Sequence, residues 1–489
     1  MNKFQQVFTI HPVGQGFFYS GVVDAEIKTD NKKSYKLIFD CGSMNGKNCL
    51  DEIETYQRMH LPENDRLDLL IISHFDQDHV NHIHKLLDKR KVHKVIAPFI
   101  NFDERIFLAL RIVQQGNIQG IAADDNFVIS LIIDPVGTLG PYLDNDEGGI
   151  IFIIPDPEIP TFPLENPNQD IRYEIGNTSS FRLDLVNKDR KLSTGEAKEL
   201  NTKGARVNIL PDSARPKIVL GNIPILDLLF YNKPIGPGEG DFYKVVFELF
   251  IEKFKNQVKD TANPTTAEVI NIIKGIRSAT VIRKIFSEAR GKVKSLSVSD
   301  SDIQNLNTTA LCLLHRNFYH IEKFLRRVDK GDISSEIIIE KIQKFEGLHK
   351  NVVVFSSLIS EEDLYFRRFR DLNHYIGNIF PNVMLTSDCF LLEPADVDRF
   401  YTRYKNYWKD YWLMQVPHHG SANNSNYILL SRISKLTRLF INYGVVKEWN
   451  GKWRHPSQQL IIDIVATGNS MKLFAINEFL GLRFQFILV

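Results

Sequence analysis

Three things are scarce in this 489-residue chain. Cysteine is the first: Cys41, Cys49, Cys312 and Cys389 are scattered, with neither the spacing of a zinc finger nor the density of a disulfide scaffold. Small buried packing residues are the expected role, and a reduced cytoplasm is the simplest setting. Long apolar runs are the second. No stretch of about 18 or more apolar residues could span a bilayer, so no membrane is expected as a partner. Met1 to Gln6 leads directly into a strand-like run rather than a secretory signal. Excess charge is the third: Lys+Arg at 60 against Asp+Glu at 59 leaves a net charge of +1, so only local clusters can argue for a polyanionic partner.

What the chain does have is a globular composition, 43% hydrophobic and 24% charged, and one unusual cluster of side chains. In Ser73-His74-Phe75-Asp76-Gln77-Asp78-His79, four potential metal ligands follow an apolar run, Leu67 to Ser73, that reads as an internal strand. Val80, Ile83 and Leu87 then mark one stripe of a helix, with Asp78 at its N-cap or first turn. A strand-to-helix turn can aim His74 and Asp76 one way and Asp78 and His79 another, giving two half-sites for divalent ions. A polar cap on a surface helix is the plain alternative.

Two distant segments weigh against that alternative. Pro381 to Asp388 reads as a short buried strand ending in a carboxylate, and Leu413 to Ser421 as another ending in His418-His419-Gly420-Ser421. His455, before Pro456, adds one more imidazole in a turn.

The order H-x-D-x-D-H, S-D, P-H-H-G-S and H-P, preceded by Val13-Gly14-Gln15-Gly16 and Asp40-Cys41-Gly42, resembles the metallo-β-lactamase superfamily. Within it the chain looks like the branch containing the soluble domain of the DNA-uptake protein ComEC. The resemblance implies an α/β fold, the αββα sandwich, here with large, mainly helical insertions. It also implies two divalent metal ions, Zn²⁺ or Mn²⁺. His74 and Asp76 would hold one, Asp78 and His79 the other, and Asp388 would bridge them. His419, with His418 as the alternative, would complete the second site. His455 would lie nearby as a ligand, a phosphate contact or a proton donor, and Asp40 would orient the motif loop from behind. Asp78, Asp388 and His455 are thus the expected catalytic residues.

One departure matters. The superfamily's third-motif histidine is absent, and Asn307, at the start of the run Leu306 to Leu314, stands in its place. A first site with less nitrogen and more oxygen shifts the expected metal toward Mn²⁺ without excluding Zn²⁺. Asn81-His82 also replaces a glycine pair, and His82 and His84 are expected on a solvent-exposed helical face.

Basic residues gather in His82 to Lys94, Arg277 to Lys294 and Arg399 to Lys409. The last interleaves Arg403, Tyr404, Lys405, Trp408 and Lys409, a pattern that can stack bases and hold phosphates. The same pattern also suits an amphipathic helix packing its aromatics on a sheet.

The expected organisation is a first core half, 1–147, bearing the metal motif, and an irregular insertion, 148–221. A core strand, a helical pair and the third-motif strand follow over 222–317, then a largely helical insertion, 318–380, and the second core half, 381–489. The function expected from the resemblance is that of a metal-dependent nuclease cleaving DNA or RNA through a metal-bridging hydroxide. A small-molecule ester, lactone or phosphodiester hydrolase is the alternative, because the scaffold hosts several hydrolytic chemistries. A third reading is a partner-binding module with a structural metal site. A protein partner in a bacterial defence or DNA-processing system fits a nuclease with large insertions.

Overall fold

The computed structural model describes residues 4–26, 32–115, 123–144, 147–156, 158, 161–163, 180–185, 206–221, 223–293, 310–317, 352–359, 382–409, 411–434, 437–445, 455–468 and 473–488. The strands are β1 (Phe4–Ile10), β2 (Gly16–Glu26), β3 (Lys32–Ser43), β4 (Arg66–Ile71), β5 (Lys91–Pro98), β6 (Gly149–Ile154), β7 (Phe181–Asp184), β8 (Arg206–Pro211) and β9 (Lys217–Leu220). They continue with β10 (Ile223–Asn232), β11 (Leu311–Asn317), β12 (Val352–Ile359), β13 (Val383–Leu385), β14 (Leu413–Gln415), β15 (Arg438–Asn442), β16 (Leu473–Ile476) and β17 (Gly481–Leu488).

Among the described residues they form two sheets. One has nine strands in the order β12-β17-β1-β2-β3-β4-β5-β6-β8, the other eight in the order β16-β15-β14-β13-β11-β10-β9-β7. Side-chain alternation decides what each face meets. In β4, Leu69 and Ile71 point to the second sheet while Leu70 points to helices; in β11, Leu311 and Leu313 point inward while Cys312 and Leu314 point out. Burial therefore falls into three apolar layers, one between the sheets and one beneath the helices on each outer face. Helices, sheet, sheet and helices follow one another across the molecule.

The segment 148–221 is not an excursion from this frame. β6 pairs in parallel with β5 and β8 in the first sheet, and β7 and β9 extend the second. The apolar run Gly149–Ile154 is buried as an internal strand, and the neighbouring prolines only end it. The boundary expected at 148 thus cuts through the core. The segment 318–380 lies mostly outside the described residues; its one described element, β12, runs parallel to β17 at the sheet edge.

The helices between β10 and β11 also differ from expectation. The first is Pro237–Phe254; Gly236 caps it, Pro237 occupies the first turn and the Glu239 carboxylate accepts from Gly236 N–H. The expected second helix is two, Thr266–Gly275 and Ala279–Lys292, separated where Ile276 turns extended. All three pack with the helix Phe102–Gln115 in the outer layer of the first sheet.

No helix among the described residues is long and apolar enough to cross a membrane. All four cysteines are buried, Cys41 and Cys49 in the outer layer of the first sheet, Cys312 and Cys389 in that of the second.

Candidate metal centre

The motif residues converge where parallel strands end. β4 delivers Ser73 and His74, β13 delivers Ser387 and Asp388, and β14 delivers His418 and His419. Such carboxyl ends of strands are where open α/β sheets place ligand sites.

Asp40 is built into the frame by a bulge. In the β2–β3 pairing, Phe18 faces Cys41 and Tyr19 faces Phe39, so Asp40 is the extra residue, at φ 56°. Its side chain is thereby re-aimed at the metal loop. Oδ1 accepts from Ser73 N–H at 2.7 Å, and Oδ2 accepts from Ser73 Oγ at 2.5 Å and from His79 Nδ1 at 2.8 Å.

That network fixes the tautomers of the imidazoles. With its proton committed to Asp40, Ser73 Oγ accepts from His74 Nδ1 at 2.8 Å. His79 Nδ1 donates to Asp40, and His419 Nδ1 donates to the Asn442 carbonyl at 2.8 Å. In all three rings Nε2 is left as the coordinating atom. The Nε2 atoms of His74 and His79 are buried without a hydrogen-bond partner, which is costly unless a cation meets them.

Carboxylates supply the rest. Asp388, 2% exposed, directs Oδ1 toward His79 Nε2 at 3.4 Å and His419 Nε2 at 3.9 Å. It directs Oδ2 toward His74 Nε2 at 3.6 Å and His418 Nε2 at 3.6 Å. Asp76 Oδ2 stands 3.8 Å from His74 Nε2, and Asp78 Oδ2 3.1 Å from His419 Nε2. Two ligand sets follow, His74, Asp76 and Asp388 on one side and Asp78, His79 and His419 on the other. Asp40, His74 and His79 form a third close group, but three accepted hydrogen bonds commit Asp40 to holding Ser73 and His79 in place.

Charge follows the same layout. Burial alone would lower His79 and His419, but the Asp388 carboxylate overrides it and raises both above the ordinary histidine range, with Asp78 adding to the effect. Burial would raise Asp78 and Asp388, and the imidazoles bring both below the usual carboxylate range. Protons on His79 and His419 hold the positions where a cation's charge would sit, so metal uptake must displace them. Burial lowers His418, and burial together with the neighbouring imidazoles of His419 and His418 pushes His455 down to about 3.

No family model matches this chain, and no curated protein does. Among solved structures, a long form RNase Z from yeast is similar over 19% of this chain and 14% of that one, at 15% identity and a TM-score of 0.13. That is a small part of either chain. An overlap of this size carries no argument about fold or activity.

Several expectations need correction. Arg403, Tyr404 and Trp408 form no stacking platform: they are 1%, 0% and 5% exposed, and the two aromatics pack into the outer layer of the second sheet. Arg403 instead pairs with the buried Asp212 carboxylate. Only Lys405 and Lys409 of that set are exposed. Breaking one partner of a buried pair strands the other, so Arg403→Ala should cost about 3–5 kcal/mol of stability in denaturant unfolding. Polyanion binding by the folded variant should be unchanged.

The basic stretch beginning at His82 lies at the wrong end of the sheet. Lys91 pairs with Arg66 at the start of β4, about 17 Å of strand away from the metal loop, and Lys89 and Lys94 are engaged by Glu63 and the Glu147 carbonyl. His82 is 2% exposed and bonded to Asn81 Oδ1, not on an exposed face, and His84 is half-buried against Phe127. The single helix expected after the motif is two short turns, Gln77–Val80 and Ile83–Leu86. Asn307 lies outside the described residues; Leu311 N–H, four residues on, donates to Ser73 O at 2.7 Å.

Residues missed in the sequence surround the centre. Arg111, on the helix Phe102–Gln115 and 3% exposed, donates to Asp76 Oδ1. An arginine inside the otherwise apolar run Ile106 to Val113 was the available signal. Ser387, at φ 48°, donates from N–H to Gln415 Oε1 at 2.7 Å, and Gln415 donates on to Asn442 Oδ1 at 2.9 Å. These bonds tie the β13, β14 and β15 ends together.

Ser20, His11 and Glu52 also stand in nucleophile–base–carboxylate order, at 2.8 and 2.9 Å. Ser20 is 4% exposed and Glu52 4%, so the set is a buried polar network closed to substrate. Removing the Asp40 carboxylate, by contrast, should matter to the metals. Asp40→Ala should weaken metal binding about 10–100-fold, measured by chelator competition, because His79 and Ser73 lose their orienting partner.

Proposed function

We propose that this chain is a metallo-β-lactamase-fold hydrolase that holds two divalent metals and cleaves phosphodiester bonds, with nucleic acid as the substrate. The observation that carries the reading is the Asp388 carboxylate, whose two oxygens face two different sets of imidazoles. The helix–sheet–sheet–helix order supports the fold, and the buried, hydrogen-bond-oriented Nε2 atoms of His74 and His79 support the metals.

The donor set fits Zn²⁺ or Mn²⁺, being imidazole and carboxylate throughout. Metals bound there would supply an activated water and a positive charge for the departing oxygen. The protein's own part is positioning. Asp40 holds His79, the Ser73 and Ser387 hydroxyls hold His74, Asn442 holds His419, and Arg111 holds Asp76. Asp78 and Asp76, each partly exposed, mark the side from which substrate enters.

Electrostatics favour an anionic substrate. Two divalent ions would balance the carboxylates of Asp76, Asp78, Asp388 and Asp40, and the Arg111 guanidinium would leave the centre net positive. A phosphodiester suits that field better than a neutral ester. The burial of Tyr404 and Trp408 removes one support for a long nucleic-acid strand and favours, as a second reading, a small phosphodiester.

The test is incubation of metal-loaded protein with labelled single- and double-stranded DNA and RNA, beside a small chromogenic phosphodiester. Cleavage of a nucleic acid is expected. Turnover of the small ester alone selects the second reading, and no turnover of any phosphodiester at full metal occupancy rejects both.

A further inference from the structure

We infer that His418 and His419 each hold a different metal, His418 completing the site of His74 and Asp76 and His419 that of Asp78 and His79. The inference rests on the two-metal reading above and assigns to the first site an imidazole from outside the expected third motif.

The two rings diverge from adjacent backbone positions. Their centroids are 5.8 Å apart and their planes cross at 78°. His419 Nε2 lies 3.1 Å from Asp78 Oδ2 and 3.9 Å from Asp388 Oδ1, on the same side as His79. His418 Nε2 lies 3.6 Å from Asp388 Oδ2, the oxygen that also stands 3.6 Å from His74 Nε2. The carboxylate of Asp388 thus separates the pair, one ring to each oxygen.

Backbone strain achieves this divergence. His418 and His419 have φ of 47° and 53°, a left-handed conformation that side-chain-bearing residues adopt at a cost. The turn is held by His418 N–H donating to Ser387 O at 2.9 Å and Ser421 N–H to His418 O at 2.8 Å, and Gly420 continues it at φ 81°. The two left-handed residues in succession set the directions in which the adjacent rings leave the turn. Each metal then meets two imidazoles and two carboxylates. The oxygen-rich first site expected from the missing third-motif histidine becomes a site matched to the second, and the preference for Mn²⁺ over Zn²⁺ on that ground disappears.

Zinc titration of the metal-free protein against a chromophoric chelator tests this, with unfolding curves of the metal-free proteins alongside. Wild type should take two ions. His418→Ala should weaken one of them at least about 100-fold, more than the loss of an orienting partner costs, and leave the other within about threefold. His418→Asn should do the same while tolerating the left-handed backbone, which separates ligand loss from turn strain. Combined with His74→Ala, His418→Ala should retain one ion; combined with His79→Ala, it should retain none. Two ions at wild-type affinity in both His418 variants would overturn the assignment, as would retention of one ion only in the His79 combination. Fewer than two ions in the wild type would instead defeat the two-metal reading on which it stands.

Discussion

On the proposed two-metal reading, Asp388→Ala should abolish uptake of both metals at once, because one carboxylate faces both candidate ligand sets. Removing Asp76 or Asp78 alone leaves one set with its imidazoles and the Asp388 oxygen, so those variants should retain one ion. Thermal unfolding provides the readout. Each bound ion stabilises the native wild type by about 4 kcal/mol when free metal is at 1,000 times its dissociation constant. The alanine variant should show no such shift. Phosphodiester turnover should fall with it by more than about 10³-fold, since activation of water and stabilisation of the departing oxygen both go. A metal-induced shift in Asp388→Ala equal to that of the wild type would remove Asp388 from the centre.

The second large effect comes from a residue with no ligand chemistry. A Cβ on Gly42 would meet the His79 carbonyl carbon and Val80 nitrogen at 2.6 Å and the Asp78 carbonyl carbon at 2.7 Å. All three are backbone atoms of the turn carrying Asp78 and His79. That turn cannot yield easily: His82 N–H donates to the Cys41 carbonyl at 3.2 Å, and the Asn81 amide bonds both Ser43 N–H and Ser43 O. Gly42→Ala should therefore cost about 3 kcal/mol, the upper end for overpacking, and lower metal affinity by displacing two ligands. Gly240 is the internal control. It lies in the helix Pro237–Phe254 with nothing within 4 Å of its notional Cβ. Gly240→Ala should stabilise by about 0.5–1 kcal/mol in the same denaturant measurement.

Gly42 also indicates which parts of the site could be read without a structure. The candidate ligands stand out because metal chemistry demands particular side chains, and strand ends deliver them in short clusters such as His74 to His79 and His418-His419. Apart from Asp40, which the resemblance implied, their supports do not. Ser73 meets Ser387 across 314 residues and Gln415 meets Asn442 across 27, and nothing local marks those pairs. Arg111 is the intermediate case, its charge conspicuous on an apolar helix face but its partner Asp76 hidden by the turn between them.

Errors in the fold have equally local causes. β6 is an apolar run flanked by Gly148-Gly149 and Pro155, and the punctuation outweighed the run. The Arg399 to Trp412 stretch alternates aromatic and basic residues in a way that fits both a stacking platform and a buried helix face. Tertiary packing decided it, because the outer face of the second sheet, with Leu229, Tyr231 and Met414, needed covering. Arg403 could be buried with the aromatics because Asp212 was there to pair with it.

The most direct test of the two-metal centre is a diffraction measurement on crystals grown with Mn²⁺ or Zn²⁺, locating the metals by their anomalous signal. Two peaks are predicted, one on either side of the Asp388 carboxylate, the first nearest His74 and His418 and the second nearest His79 and His419. A single peak, or a pair of peaks remote from Asp388, would contradict the account.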